Sequence, residues 1–209
     1  NALAGALWPQ MSASSCSLAA LPMFHITGLI FNVLSVIYLG ATAVVMPRWN
    51  RELAGDWIAA YGITHFACIP TMVIDMFASP NYRSFGLNSL NNLIGGGSAM
   101  PQAVAQRLKQ EFDIDFAEGY GLTETAAMAL INPIERPKLQ CLGIPIFGNE
   151  VLIIDPDTGA EMAVGQIGEI VLRGSTVFQG YWKHPQATAQ SFIGVKGRSF
   201  FRTGDIGYQ

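Results

Sequence analysis

Apolar residues along the first two thirds of the chain alternate between a helical period and short continuous runs. The segment Arg51–Tyr61 repeats its apolar residues on one helical face, after Asn50, a favourable N-cap, and before Gly62, which can end a helix. A run from His65 to Ile69 then has the length of a buried strand, and Pro70 can open the next helix. This alternation predicts an α/β fold with a mostly parallel sheet flanked by helices.

The apolar stretch from Gly28 to Met46 is long enough to raise the alternative of a membrane span. Gly40 divides it into a helix-like segment, Leu29–Leu39, and a β-branched segment, Ala41–Met46, as expected for a buried helix followed by a buried strand. We therefore interpret it as core. The remaining predicted elements continue the alternation and are a loop at residues 79–92, strands at residues 93–94 and 115–118, and a helix opened by Pro101 between these strands.

The pattern changes in the last third of the chain, where short strands separated by turn residues replace the helices. Residues 151–154 and 168–173 are predicted strands. We predict an α/β subdomain at residues 1–136 and part of a small β-rich, barrel-like subdomain at residues 137–209. Since the chain starts without Met and stops after an apparent loop, we expect it to be an internal piece of a longer polypeptide.

The amino-acid composition indicates which classes of partner and which kinds of site are not expected. Hydrophobic residues make up 50% of the chain and charged residues 13%, below the ~25% that is typical of soluble domains, so a large core is expected. With 12 Lys and Arg against 15 Asp and Glu and no basic run, nucleic acid is not expected. Three separated cysteines suggest neither disulfides nor a metal cluster, and the start does not resemble a signal peptide. We expect a cytoplasmic location, with peripheral membrane association as the alternative.

Three segments carry residues that suit a nucleotide. Gly95–Pro101 follows a predicted strand and offers either a bare backbone for a flat base or a tight turn before a helix. Glu118–Thr125 combines an aromatic ring, two glycines, a hydroxyl and a carboxylate, which suit a base, a phosphoryl oxygen and Mg²⁺. The alternative there is a helix N-terminus that Thr123 and Glu124 only cap. Phe200–Asp205 is either a common turn or a ribose-binding carboxylate.

Together and in this order, the segments resemble the adenylate-forming superfamily of acyl-CoA synthetases, carrier-protein adenylation domains and beetle luciferases. The matching motifs are Pro22–His25, Gly96–Pro101, Tyr120–Glu124, Gly168–Trp182 and Arg202–Asp205. The apolar region Leu21–Tyr38 and the His motif are most similar to fatty acyl-CoA synthetases, in which this chain would be an internal fragment of the large N-terminal domain. The resemblance implies a ligase of fatty acid metabolism that converts a carboxylate and ATP to acyl-AMP and transfers the acyl group to coenzyme A.

The resemblance also implies roles for individual residues. The glycine loop and Tyr120 would enclose adenine, Glu118 would lie at the base edge, and Asp205 would bind the ribose. The full set implied for ATP or AMP is Gly96, Gly97, Ser98, Ala99, Glu118, Gly119, Tyr120, Thr123 and Asp205. Thr123 at the α-phosphate, Glu124 as the Mg²⁺ ligand and His25 are the implied catalytic residues. The acyl pocket would include His25, Thr27, Gly121, Ala127 and Met128, although His25 also fits a hydrogen-bonded core histidine.

Several features of the superfamily are not in this sequence. A phosphate loop with its Lys would precede it, and a small domain with a catalytic Lys would follow it, so the chain needs these parts of the same polypeptide and should be inactive alone. Glu118 stands where many relatives carry an amide, and Ser98 and Met100 depart from a Gly-Ala-Pro version of the loop. A carrier-protein thiol acceptor, luciferase-like chemistry and a non-catalytic nucleotide-binding module are the alternatives. The acyl chain and the oligomeric state stay open.

Overall fold

A computed structural model describes residues 1–209, apart from the side chain of Asn92. The chain divides into two compact units, Asn1–Ile144 and Pro145–Gln209. The first unit is built on a mostly parallel sheet with helices, and the second on an antiparallel sheet. The α/β fold class followed by a β-rich part is therefore confirmed.

The first unit contains a seven-stranded sheet in the order β2-β1-β3-β4-β5-β6-β7. Its strands are β1 (Cys16–Ala19), β2 (Thr42–Val45), β3 (His65–Cys68), β4 (Asn92–Gly95), β5 (Phe116–Leu122), β6 (Ala127–Ile131) and β7 (Ile144–Pro145). Strands β1 to β5 run parallel to their neighbours, whereas β6 is antiparallel to β5. The helices are α1 (Ala2–Leu7), α2 (Ile26–Gly28), α3 (Ser35–Leu39), α4 (Arg51–Tyr61), α5 (Pro70–Phe77) and α6 (Gln102–Phe112).

Helix α4 has the bounds that its sequence predicts. The Asn50 side chain accepts a hydrogen bond from Leu53 N–H at 3.0 Å, so it caps the first turn. Gly62 ends the helix in the left-handed region at φ 58°. Ala54 and Ile58 are fully buried on the inner face of the helix.

The apolar stretch that raised the question of a membrane span is folded into several short elements. A π-helical segment, Leu29–Leu34, joins α2 to α3, and Gly40 ends α3 in the left-handed region at φ 67° before β2 begins. The helical part starts at Ile26, three residues earlier than predicted, because His25 acts as its N-cap. Among the described residues, no helix is long and apolar enough to cross a membrane.

Strand β5 is longer than its sequence predicts. It continues to Leu122 because its second half pairs antiparallel with β6, with Tyr120 opposite Leu130 and Leu122 opposite Ala127. A single 3-10 turn, Thr123–Thr125, joins the two strands. The interpretation of this segment as a helix N-terminus is therefore wrong.

The second unit is a four-stranded antiparallel sheet in the order β10-β11-β9-β8. Its elements are β8 (Asn149–Ile154), β9 (Gly168–Gly174), α7 (Pro185–Gln190), β10 (Phe192–Val195) and β11 (Arg198–Gly207). The alternative of a common turn at residues 200–205 is wrong, and so is the loop expected near the end, because β11 extends from Arg198 to Gly207. The ladder between β11 and β9 is irregular between Arg202 and Ile206, which explains the turn-like sequence there.

Candidate functional site

A cavity of about 1140 Å³ lies in the first unit at the carboxyl ends of its parallel strands. Segments that follow or end β1, β2, β3, β4 and β5 each contribute to its wall. Most of the lining falls in residues 19–27, 45–49, 67–69, 94–97 and 119–124. In open α/β sheets ligands bind beyond the carboxyl ends of the strands, so this cavity is the candidate site.

The cavity brings together most of the residues singled out in the sequence. Those in its wall are His25, Thr27, Gly96, Gly97, Gly119, Tyr120, Gly121, Thr123, Glu124, Ala127 and Met128. Ser98 and Ala99 are exposed just beyond Gly97 and do not line it. Glu118 does not line it either, and Asp205 lies on β11 in the second unit. The predicted acyl residues and five of the nine predicted nucleotide residues thus share one cavity.

The glycine loop after β4 is packed directly against β5. A Cβ atom on Gly96 would lie 2.3 Å from the carbonyl oxygen of Gly119, closer than any side chain tolerates. The two backbones can approach only because Gly96 has no side chain. The resulting stretch of bare backbone at Gly96 and Gly97 lines the cavity together with Tyr120.

Glu118 lies beneath this loop instead of in the cavity. Its side chain is 4% exposed, and Oε2 accepts a hydrogen bond from Met100 N–H at 3.4 Å. Burial raises the pKa of this carboxyl, and the Met100 hydrogen bond opposes that shift. The structure therefore places Glu118 where it holds the glycine loop onto β5.

The turn that carries Thr123 and Glu124 is tightly fixed. Thr125 is fully buried, and its hydroxyl accepts from Leu122 N–H at 2.8 Å and lies 2.9 Å from the Ala127 carbonyl. Ala126 and Ala127 have φ values of 53° and 81°, in the left-handed region that non-glycine residues avoid. Strained backbone of this kind is concentrated at functional sites, where the surrounding structure maintains it.

His25 lines the cavity from the segment between β1 and α2. It is exposed, and its Nδ1 accepts a hydrogen bond from Thr27 N–H at 3.2 Å. Since Nδ1 accepts, the neutral ring carries its proton on Nε2. The interpretation of His25 as a hydrogen-bonded core histidine is therefore wrong, whereas His65 is such a residue, with Nε2 3.0 Å from the Pro9 carbonyl.

In the second unit, the Arg202–Asp205 motif is organised by Glu169 of the Gly168–Trp182 motif. The Glu169 side chain is 5% exposed and accepts from Arg202 Nε at 2.9 Å and from Gly204 N–H at 3.1 Å. Thr203 donates to the Ile170 carbonyl at 2.7 Å, and its hydroxyl accepts from Asp205 N–H at 3.0 Å. These bonds leave the Asp205 side chain at the surface.

Comparison with known proteins identifies the family. The sequence profile of the AMP-binding enzyme family matches residues 1–182. The chain belongs to this family. It is 32% identical over 194 residues to 4-coumarate–CoA ligase-like 9 of Arabidopsis thaliana, covering 91% of this chain and 34% of that protein. It is 35% identical over 210 residues to 2-succinylbenzoate–CoA ligase of Geobacillus kaustophilus, covering 100% of this chain and 41% of that protein.

Solved structures of the same family superpose closely. ATP-bound MatB from Rhodopseudomonas palustris has a TM-score of 0.92 and 25% identity, over 100% of this chain and 40% of that one. A long-chain-fatty-acid-CoA ligase, FadD1, from Archaeoglobus fulgidus has a TM-score of 0.87 and 27% identity, over 99% of this chain and 44% of that one. The chain thus spans 34% and 41% of the length of the two curated relatives named above.

Some residues of the site escaped the sequence interpretation. Arg48 and Trp49 line the cavity just after β2. Their position directly after a predicted parallel strand could have marked them as site residues, because ligands bind at that end of the strands. Glu169 lies in one of the matching motifs, but its role in holding Arg202 and Gly204 was not predicted; the signal was a charged residue at the start of an apolar strand. Asn1 was also missed; it does not line the cavity, but its amide nitrogen donates to the Thr125 carbonyl at 2.7 Å beside it. No local pattern marks that contact, which joins residues 124 positions apart.

Proposed function

We propose that this chain is the central part of a longer polypeptide, here called the full-length enzyme, which is an AMP-forming fatty acid–CoA ligase. The observation that carries this proposal is a single, mainly apolar cavity that also holds Tyr120, Thr123 and Glu124. Membership of the AMP-binding family and similarity to several CoA ligases support it. The names of these relatives share one activity, the ligation of an acid to the thiol of coenzyme A.

The proposed reaction has two steps. A carboxylate oxygen attacks the α-phosphorus of ATP, the bond from that phosphorus to the bridging oxygen breaks, and pyrophosphate leaves. The coenzyme A sulfur, having lost its proton, then attacks the acyl carbonyl carbon and AMP leaves. Both steps place charge on phosphoryl oxygens, so catalysis depends mainly on positioning and on groups that offset this charge.

For the nucleotide, we propose that adenine lies between the Gly96–Gly97 backbone and the Tyr120 ring. Both surfaces belong to the cavity wall. Ser98 and Ala99 would extend the glycine loop, and Glu118 would act by holding it, since its carboxyl bonds Met100 N–H. Asp205 would bind the ribose hydroxyls, because a carboxylate can accept from both. Residues 1–136 would then carry the adenine, phosphate and acyl motifs, and residues 137–209 the ribose motif.

For the phosphates, we propose that Thr123 contacts the α-phosphate and Glu124 holds Mg²⁺. The described residues contain no group of three or more His, Cys, Asp or Glu that could hold a metal. One carboxylate nevertheless fits Mg²⁺, which commonly takes one or two carboxylates together with substrate phosphates. The ion would offset phosphate charge when bound. Glu124 contributes the ligand, and the fixed Thr123–Thr125 turn holds it at the cavity.

For the acyl group, we propose a fatty acid that enters beside His25. The wall there is mainly apolar, with the aliphatic, thioether and aromatic side chains of Leu21, Phe31, Met46, Met72 and Met128. Thr27, Gly121 and Ala127 add small surfaces that leave room for a chain. The long-chain-fatty-acid–CoA ligase of Haemophilus influenzae, 29% identical over 198 residues, supports this class of substrate. A cytoplasmic location, where ATP and coenzyme A are available, fits the proposal.

The experiment is a substrate series with the full-length enzyme, ATP and Mg²⁺. Saturated fatty acids of increasing length are compared with 4-coumarate and 2-succinylbenzoate, and acyl-CoA and AMP are measured by chromatography. The proposal expects equal amounts of acyl-CoA and AMP, with the highest kcat/KM for a fatty acid. Preference for an aromatic acid would overturn the fatty acid assignment. Acyl-AMP that reacts with a carrier-protein thiol but not with coenzyme A would overturn the proposed acceptor.

A further inference from the structure

The side chain of Asn1 reaches across the first unit to the turn between β5 and β6. Its Nδ2 donates to the Thr125 carbonyl at 2.7 Å and to the Met128 carbonyl at 2.9 Å. Asn1 precedes helix α1 as its N-cap residue, yet its side chain makes no capping hydrogen bond. Because carbonyl oxygens only accept, the nitrogen of the amide must face them. The side chain is thus committed to two long-range acceptors.

The two carbonyls stand on either side of the strained pair in this turn. Thr125 precedes Ala126, and Met128 follows Ala127, and both alanines have positive φ values of 53° and 81°. A non-glycine residue keeps this conformation only where its surroundings hold it. Thr125 supplies part of that restraint through its own hydroxyl. The Asn1 amide supplies another, since one nitrogen joins the backbone before and after the pair.

Helix α1 is anchored independently of Asn1. The Ser35 hydroxyl donates to the Ala2 carbonyl at 3.0 Å, and Trp8 Nε1 donates to the Asn132 carbonyl at 2.9 Å. Asn1 therefore projects from a helix that is held at both of its ends. Because α1 is already fixed, the hydrogen bonds from Asn1 can restrain the turn without the cost of ordering the helix that carries Asn1.

We propose that Asn1 is a positioning residue that holds the Thr123–Thr125 turn in the conformation that presents Thr123 and Glu124 to the cavity. This inference rests on the proposed function of these two residues as phosphate and Mg²⁺ contacts. Asn1 is not among the residues that line the cavity, and its side chain acts through the backbone carbonyls of Thr125 and Met128.

The test uses two substitutions in the full-length enzyme. Asn1→Ser keeps a good N-cap side chain but is too short to reach both carbonyls, and Asn1→Asp keeps the size but places acceptors against acceptors. We expect the rate of acyl-AMP formation to fall on the order of 10- to 100-fold, as for other small misplacements of reacting groups. We also expect a higher Mg²⁺ concentration for half-maximal rate, and faster amide hydrogen exchange at residues 123–128.

Trp8→Phe is the matched control, because it removes one of the two hydrogen bonds that anchor α1, keeps the bond from Ser35 beside Asn1, and leaves the Asn1 contacts in place. It should lower the melting temperature without changing the Mg²⁺ requirement. If Asn1→Ser lowers only the melting temperature, with wild-type rate and Mg²⁺ requirement, the positioning role is wrong. Should Asn1→Asp not fold, Asn1→Ser and the exchange measurement still decide the question.

These readouts separate the two proposals. If the wild-type enzyme forms no acyl-AMP, the proposed function fails, whereas hydrogen exchange at residues 123–128 still tests whether Asn1 holds the turn. If the wild-type enzyme is active and Asn1→Ser exchanges these amides at the wild-type rate, only the positioning role fails.

Discussion

Glu169 Oε2 accepts a hydrogen bond from Arg202 Nε at 2.9 Å, while its Oε1 accepts one from Gly204 N–H at 3.1 Å. One buried carboxylate therefore fixes two points of the irregular segment of β11 that leads to Asp205. The same side chain thus holds the part of β11 that carries Asp205, the residue proposed to bind the ribose.

Replacing this carboxylate tests that dependence. Glu169→Gln should lower the free energy of unfolding of the chain by roughly 1.5 to 3 kcal/mol, because hydrogen bonds to a charged group are lost or weakened. Glu150→Gln is the matched control, since Glu150 pairs with Arg173 and Arg198 at the surface, where such pairs contribute about 0 to 1 kcal/mol. Urea unfolding of both variants measures the difference. Equal losses would contradict the organising role of Glu169.

Asp205→Ala tests the ribose contact in the full-length enzyme. The substitution should weaken ATP binding more than binding of 2′,3′-dideoxy-ATP, because only ATP has the hydroxyls that the carboxylate would accept from. A hydrogen bond to a charged group is worth roughly 1.5 to 3 kcal/mol, which corresponds to a loss of about 10-fold or more in affinity. Calorimetric titration with both nucleotides gives the comparison. The same loss for both would mean that Asp205 is only a structural residue of β11.

The pH dependence of stability tests the burial of Glu118. Burial raises its pKa above the ordinary value of 4.5. A raised pKa in the folded state means that the group stabilises the fold below the unfolded pKa and that this contribution is lost as pH rises through the folded pKa. Glu118→Gln should therefore gain stability relative to wild type as the pH is raised from about 4 to 8.

Unfolding of wild type and Glu118→Gln in urea at several pH values provides the measurement. The amide can still accept from Met100 N–H, so the fold is kept. Glu135→Gln, at an exposed position of the same unit, serves as the matched control. Parallel stability curves for wild type and Glu118→Gln would contradict the raised pKa.

Two glycines of one motif should respond differently to Ala. A Cβ on Gly121 would lie 1.6 Å from the Ala127 carbonyl oxygen, whereas one on Gly119 would lie 3.4 Å from the Leu130 carbonyl oxygen, an ordinary contact. Gly121→Ala should cost about 1 to 3 kcal/mol or more, because the backbone of the turn must shift. Gly119→Ala should cost less. Thermal unfolding of both variants measures the two losses. Equal melting temperatures would mean that the backbone of the turn can shift to accept a Cβ at Gly121 without loss of stability.

The sequence predicts elements that local residues determine. Helix α4 matches its prediction because its N-cap, apolar face and terminal Gly62 all lie within the segment itself. The end of β5 could not be predicted in this way, because it depends on pairing with β6, with Gly121 opposite Met128. Likewise β11 reads as a turn because of Gly204 and becomes a strand through its pairing with β9.

In the candidate site, too, residues in local motifs could be predicted, whereas roles that depend on distant contacts could not. Residues in ordered motifs, such as Tyr120 and Glu124, were predicted and line the cavity. The roles of residues that hold those motifs in place were not predicted, because their partners are distant in sequence. Asn1 bonds a carbonyl 124 positions away, and Glu169 bonds Arg202 33 positions away. The sequence shows the residue types that a reaction needs, whereas the fold shows which other residues keep them in place.

The most direct test of the proposed ligase is carboxylate-dependent exchange of labelled pyrophosphate into ATP, measured for the full-length enzyme and its Glu124→Gln variant at limiting Mg²⁺. Exchange is expected in the wild type only when a fatty acid is present. A severe loss of exchange is expected in Glu124→Gln without loss of folding, because a charged metal ligand becomes a neutral amide. Wild-type exchange without a carboxylate, or an unchanged rate in Glu124→Gln, would contradict the proposed ligase function.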